Sequence, residues 1–145
     1  MVPLSLGFVW LRNYLDNQAI RWTDYSATTL QESLQRGHTV IVFFHADWDV
    51  TSHVIDEIVF KAPAVRRAVR NGDVVSLSAD CSQPTPDVQA ALQSIDPRRP
   101  IPTVAIYYAD EPDQPFVLQG IITEADLLDA LQRAPRLLPP WPESR

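Results

Sequence analysis

The feature that most constrains the fold is the run Thr39–His45, which reads TVIVFFH. β-Branched and aromatic residues favour extended backbone, and here they follow one another without the polar alternation of a sheet that faces water. Such a run is typical of a strand that is buried on both faces. We therefore expect a sheet of the parallel kind, with helices packed against both of its sides.

Helical and strand patterns alternate around this run. Before it, Leu30 and Leu34 form a helical stripe, and Gly37 is a natural helix stop. After it, the pattern predicts these elements in order: a helix over Asp49–Phe60 with Val50, Val54 and Ile58 on one stripe, a helix over Ala64–Arg70, a strand over Val74–Ala79, a helix over Asp87–Ile95, strands over Thr103–Tyr108 and Phe116–Leu118, and a helix over Glu124–Arg133. Strands separated by helices are expected to pair in parallel, and the last two strands to form an antiparallel hairpin. The predicted fold is α/β, with a central mixed sheet of about four to five strands flanked by helices.

Length and charge limit the class of protein. The chain has 145 residues, enough for one domain with a sizeable core. Its net charge is −6 and it has no basic run, which argues against nucleic-acid binding because phosphates are held by clustered lysine and arginine. We assign the folded domain to residues 22–134 and expect the Pro-rich tail, residues 135–145, to be extended.

Residues 1–21 allow two interpretations. An apolar set at helical spacing predicts an amphipathic helix that lies on the domain or on a membrane surface: Leu4, Phe8, Leu11 and Leu15. Alternatively, the segment is the end of a membrane anchor that starts outside this chain, since the stretch before Arg12 is too short to span a bilayer by itself. No basic n-region or small-residue cleavage site supports a standard signal peptide.

Chemistry-bearing residues crowd the segment after the first long strand. His45, Asp49 and His53 could supply metal ligands, with Asp47 and Glu57 nearby, and Asp49, His53 and Glu57 are spaced to share one helix face. The alternative is a capped, solvated helix face with an i,i+4 charge pair. A Ser52 nucleophile with a histidine base is disfavoured, because adjacent helical side chains diverge. The sequence predicts no cofactor.

The chain has one cysteine, Cys81, which excludes an intramolecular disulfide and a cysteine-based zinc site. It follows the predicted strand Val74–Ala79. A single thiol at that place could be modified or form a mixed disulfide with another molecule. The alternative is a small, half-buried loop residue without a chemical role.

The order of elements and several motifs resemble the thioredoxin fold, and more closely the thioredoxin-like domain that ends the DsbD-type bacterial disulfide reductases. In that family an Ala-Asp-Trp-Cys-x-x-Cys segment follows the apolar strand, and a Phe-x-x-Pro-x-Val stretch comes later. The matching segments here are Ala46-Asp47-Trp48, Phe60–Val65, Ala79-Asp80, Ile101-Pro102-Thr103 and Gly120. The resemblance covers roughly residues 22–134 and implies a cis peptide bond before Pro102. It also implies an extracytoplasmic location, with or without a membrane anchor.

This chain departs from the family at the residues that carry its chemistry. Asp49 stands where the family has its nucleophilic cysteine, and Ser52 stands at the resolving cysteine. Phe43 occupies the position of a buried carboxylate that is frequent in the family. Thiol–disulfide exchange needs a thiolate and a second thiol, so a carboxylate and a hydroxyl cannot perform it. Asp49 is instead expected to cap the following helix, because aspartate is among the best N-cap residues.

The resemblance also implies where a partner would bind. In the family, a partner chain lies across the active-site loop and pairs with the backbone before the cis-proline. The corresponding residues here are Trp48, Asp49, Val50, Ile101 and Pro102. The leading hypothesis is a redox-inactive domain that binds a protein or an extended peptide there. The alternatives are a repurposed metal or enzymatic site at His45, Asp49 and His53, and a membrane-tethered structural subunit that associates through residues 1–21.

Overall fold

The computed structural model describes residues 19–133. Within them the elements follow in this order: β1 Trp22–Asp24, α1 Ala27–Gln35, β2 Val40–His45, α2 Val50–Ile55, a π-helical turn Asp56–Phe60, α3 Pro63–Asn71, β3 Val75–Asp80, α4 Pro86–Ile95, β4 Thr103–Tyr108, β5 Glu111–Gln119 and α5 Glu124–Gln132. The predictions for residues 1–18 and for the tail fall outside the described residues. No helix within residues 19–133 is long and apolar enough to cross a membrane.

The strands form one five-stranded mixed sheet in the order β1-β3-β2-β4-β5. β1 and β2 pair with β3 in parallel, whereas β4 is antiparallel to both β2 and β5. The predicted α/β class with a mixed sheet is therefore confirmed, and β2 lies in the middle of the sheet.

The side chains of β2 alternate between two apolar cores. Ile41 and Phe43 enter the core beneath α2, α3 and α5. Val40, Val42 and Phe44 enter the core beneath α1 and α4. The helices thus cover both faces of the sheet, which is why β2 has no polar alternation.

Three strands differ from the expectation: β4 in its direction, β1 in that it was not predicted, and β5 in its length. β4 is antiparallel to β2 although a helix precedes it, because α4 is followed by the long loop at residues 96–102. β3 ends and β4 begins at the same end of the sheet, since His45 pairs with Asp80 and Phe44 pairs with Thr103. The short β1 was not predicted. β5 is longer than Phe116–Leu118, because an edge strand tolerates prolines that would disrupt a central one.

The helix after β2 turns a different face inward than its sequence suggested. Val50, Val54 and Ile58 form a stripe, but all three are exposed. Ile55 and Val59 enter the core instead. The segment has apolar residues on both faces, so periodicity alone does not decide which face is buried. The segment also ends in the π-helical turn Asp56–Phe60, which changes the residue spacing.

Candidate functional site

The candidate site is the connection between β2 and α2, residues 46–49, which we call the Trp48 loop. Three hydrogen bonds hold the chain at this end of the sheet. Asp49 N–H donates to Ala46 O at 3.1 Å, and Cys81 N–H donates to His45 O at 2.7 Å. Asp47 N–H donates to Ser82 Oγ at 2.6 Å, which ties the loop to the segment after β3. The loop backbone is therefore fixed by its neighbours.

Asp49 is the N-cap of α2, as the sequence predicts. Its Oδ2 accepts a hydrogen bond from Ser52 N–H at 2.8 Å and a second from Ser52 Oγ–H at 2.8 Å. Ser52 is 3% exposed, and its Oγ accepts from Ala46 N–H at 3.3 Å. The two residues at the positions of the family cysteines thus satisfy each other and the helix start, and neither is left with an unused buried hydrogen-bonding group.

Trp48 and Val50 flank this cap and point into solvent. Trp48 is 68% exposed and Val50 is 74% exposed. Large apolar side chains exposed on a surface are typical of interaction sites, and tryptophan is enriched among the residues that dominate binding energy. The loop therefore combines a rigid polar interior with an apolar outer surface.

The segment Ile101–Pro102 directly precedes β4. It lies beside the Trp48 loop, because Phe44 near the end of β2 pairs with Thr103 at the start of β4. The Ile101–Pro102 peptide bond is cis. The ladder between β4 and its neighbours ends at Thr103, so the backbone of these two residues lies outside the sheet pairing. Ile101 is half-buried and Pro102 is buried.

Asp96 stabilises the loop that precedes this segment, and the sequence analysis did not predict this role. Its carboxylate accepts hydrogen bonds from Arg98 N–H at 3.0 Å and from the Arg98 guanidinium at 2.8 and 3.1 Å. Gln119 Nε2 donates to the same carboxylate at 3.2 Å. These bonds, above all those from Arg98, hold the pKa of Asp96 well below its usual range. The available signal was the Asp-Pro-Arg sequence, since aspartate often closes such local turns.

Ile121 is a second residue that the sequence did not single out. It is 91% exposed and follows β5, whose last residue Gln119 pairs with Thr103. It therefore lies at the same end of the sheet as Trp48 and Ile101. Its neighbour Ile122 is buried, and the sequence alone does not show which of the two isoleucines is exposed.

A cleft of about 290 Å³ lies below the loop, and its walls include His45 and His53. His45 Nε2 shares a hydrogen bond of 2.7 Å with Ser78 Oγ. His53 Nε2 donates to Asp47 O at 2.7 Å. The carboxylate of Asp49 is occupied by Ser52, so the three proposed ligands do not converge. In the described part of the chain, no group of three or more His, Cys, Asp or Glu side chains is arranged to hold a metal ion.

Phe43 takes the place of a buried acid within an aromatic cluster. Its ring centroid lies 4.8 Å from Phe60 and 5.9 Å from Trp22, and Trp22 meets Phe60 edge-on at 4.9 Å. An apolar side chain is stable here, whereas a charged carboxylate would lose its hydration without a partner. The site consequently has no buried proton acceptor at this position.

Cys81 lies at the loop end of β3, as expected, but its thiol is not activated. The side chain is half-buried, and Sγ lies 3.6 Å from Ala79 O. Burial, together with the nearby Asp80 carboxylate, raises the pKa of Cys81 to about 11. The thiol is therefore protonated near neutral pH and is a poor nucleophile.

The sheet order, the cis-proline beside a helix start and the capped Asp49–Ser52 pair define a thioredoxin-like domain that lacks the dithiol pair. The chain belongs to the Thioredoxin-like family, whose sequence profile matches residues 21–109. A search of curated protein sequences found no match.

Solved structures show the same fold. A thioredoxin from Thermus thermophilus has 23% identity and a TM-score of 0.63, with 80% of this chain and 87% of that chain covered. The oxidised DsbD C-terminal domain of Neisseria meningitidis has 20% identity and a TM-score of 0.54, with 87% and 94% covered. A DsbH oxidoreductase has 13% identity and a TM-score of 0.59, with 81% and 88% covered. At these identities the likeness shows the fold alone.

Proposed function

We propose that this chain is a redox-inactive thioredoxin-like domain that binds an extended segment of a partner protein at the Trp48 loop. The observation that carries the proposal is the pair of exposed apolar side chains, Trp48 and Val50, on either side of an internally satisfied Asp49 cap. With a single cysteine in the chain, a dithiol cycle has no second thiol.

The proposed binding surface has two main parts at one end of the sheet. Trp48 and Val50 offer an apolar anchor next to the Asp49 cap. Ile101 and Pro102 contribute mainly through backbone outside the ladder, since the Pro102 side chain is buried. An extended partner strand would pair with that backbone, and its alternate side chains would reach the apolar anchor.

Ile121 extends this surface on the side of β5. Its exposure and its place beside the start of β4 make it a natural contact for a segment that runs along the same edge. The rigid backbone of the loop favours binding, because less conformational entropy is lost when the partner docks.

The test is a peptide selection on the immobilised full chain, followed by titration of the selected peptides into isotope-labelled protein. We expect NMR shifts at the Trp48 indole and at the amides of Asp49, Val50 and Ile101. Trp48→Ala should weaken binding roughly 10- to 30-fold, as for a central aromatic anchor. Ile58→Ala is the matched control, because Ile58 is an equally exposed apolar residue at the far end of the same helical segment. Selected peptides that shift other surfaces, or that bind Trp48→Ala as tightly as the original protein, would contradict the proposal.

A further inference from the structure

A second cleft lies at the opposite end of the sheet from the Trp48 loop. It has a volume of about 220 Å³, and we call it the arginine cleft. Its walls come from the segment before β1, from α3 and from the residues that lead into β3, and they include Arg21, Arg66, Arg70, Asp73 and Ser76. Ser76 is the second residue of β3, whereas the Trp48 loop neighbours the end of that strand. The arginine cleft is therefore separate from the proposed peptide-binding surface.

The charge of the arginine cleft is opposite to that of the chain. Three arginines line it against one carboxylate, that of Asp73, so its formal charge is +2 while the net charge of the chain is −6. Arg70 already has an interaction of its own. A concave surface that concentrates positive charge attracts anions, because low-dielectric walls focus the field.

Besides its charge, the arginine cleft has two buried polar groups that lack a hydrogen-bond partner. Among residues 19–133, the buried side-chain nitrogen and oxygen atoms without a hydrogen-bond partner are Arg66 Nε and Ser76 Oγ. Both residues line the arginine cleft. Ser76 is 3% exposed, so little of this residue is in contact with bulk water. Buried donors without partners are rare in folded proteins, and finding both in one cleft indicates a missing acceptor.

We propose that the arginine cleft binds the oxyanion group of a small molecule, either a carboxylate or a phosphate. One oxyanion can accept hydrogen bonds from Arg66 Nε–H and from the Ser76 hydroxyl, while Arg21 contributes charge. The apolar part of the wall, formed by Ile20, Val69 and Val74, leaves space for a short hydrocarbon chain. The volume limits the ligand to a head group with a few carbon atoms.

The test follows the Arg66 Nε–H resonance of the full chain by NMR while sodium phosphate, acetate or butyrate is added at constant ionic strength. Sodium chloride is the reference titration. We expect a saturable shift of this resonance and of the Ser76 amide with phosphate or with the carboxylates. The anion whose titration saturates identifies the oxyanion that the cleft binds. Tighter binding of butyrate than of acetate would show that the hydrocarbon chain contacts the apolar wall. Shifts that stay linear in every arm, or that match chloride, overturn the proposal.

Three variants distinguish a binding site from general charge. Arg66→Gln and Ser76→Ala should each weaken the saturating anion roughly 10-fold or more, since each removes a hydrogen bond to a charged group. Arg36→Gln removes one exposed charge outside the arginine cleft and should leave the affinity unchanged. Ser76→Ala should fold as stably as the original protein without anion, because it deletes a hydroxyl that has no partner. An affinity that Ser76→Ala and Arg66→Gln leave intact would refute the assignment even if anions bind elsewhere.

Discussion

Asp49→Ala tests whether the former cysteine position now serves as a helix cap. The substitution deletes both hydrogen bonds that Oδ2 accepts, one from Ser52 N–H and one from Ser52 Oγ–H, each 2.8 Å long. Loss of an aspartate N-cap costs about 1 kcal/mol, within a range of about 0.5–2 kcal/mol. Loss of the hydroxyl bond at the buried Ser52 costs about 1 kcal/mol more. We expect the free energy of unfolding to fall by about 2 kcal/mol.

The measurement is urea unfolding at pH 7, followed by far-ultraviolet circular dichroism. Asp49→Asn should lose less than Asp49→Ala, because asparagine caps helices about as well as aspartate. Asp47→Ala is the matched control: it removes an exposed carboxylate from the same loop without touching the cap, and it should change stability by no more than about 0.5 kcal/mol.

A double-mutant cycle with Ser52→Ala isolates the contact between the two side chains. The coupling energy should be about 1 kcal/mol, because the two residues share one hydrogen bond directly. If Asp49→Ala costs no more than Asp47→Ala, or if the cycle shows no coupling, the capping argument is wrong.

Three further outcomes follow from the structure. The full chain should not reduce insulin with dithiothreitol above the uncatalysed rate, and clear catalysis would falsify the assignment of a redox-inactive site. Cys81 should react slowly with a thiol reagent at pH 7.5 and faster as the pH rises towards 11, while urea should abolish this protection; rapid reaction in the folded protein would contradict its raised pKa. Asp96→Asn should destabilise the protein at neutral pH. Because the pKa of Asp96 is depressed in the folded state, the stability that the carboxylate contributes is present above its ordinary value of 3.8 and is lost as the pH falls further, so the two unfolding curves should converge in acid. An equal difference in stability between the two proteins at pH 7 and at pH 2 would refute that role.

The site could be predicted from sequence where local chemistry decides it. An aspartate at a helix start favours the N-cap position, and Asp49 is the N-cap of α2. Phe43 belongs to an apolar run and packs in the core as that run indicates. The alternative metal hypothesis rested on residue spacing, but spacing along a helix does not show what else a side chain contacts. His45 shares a hydrogen bond with Ser78 of the neighbouring strand β3, and His53 donates to the carbonyl of Asp47.

Residue types and their pattern along the chain predict the class of the fold, the burial of β2 on both faces and the absence of a dithiol pair. Each of these depends on residue type and near-neighbour pattern, which need no knowledge of distant contacts. The antiparallel direction of β4 relative to β2 and the outward facing of Val50, Val54 and Ile58 became evident from the packed domain, because strand direction and helix facing depend on how whole elements pack. The same holds for the arginine cleft, where residues 19–21 meet residues 66–76 around two buried polar groups without a hydrogen-bond partner.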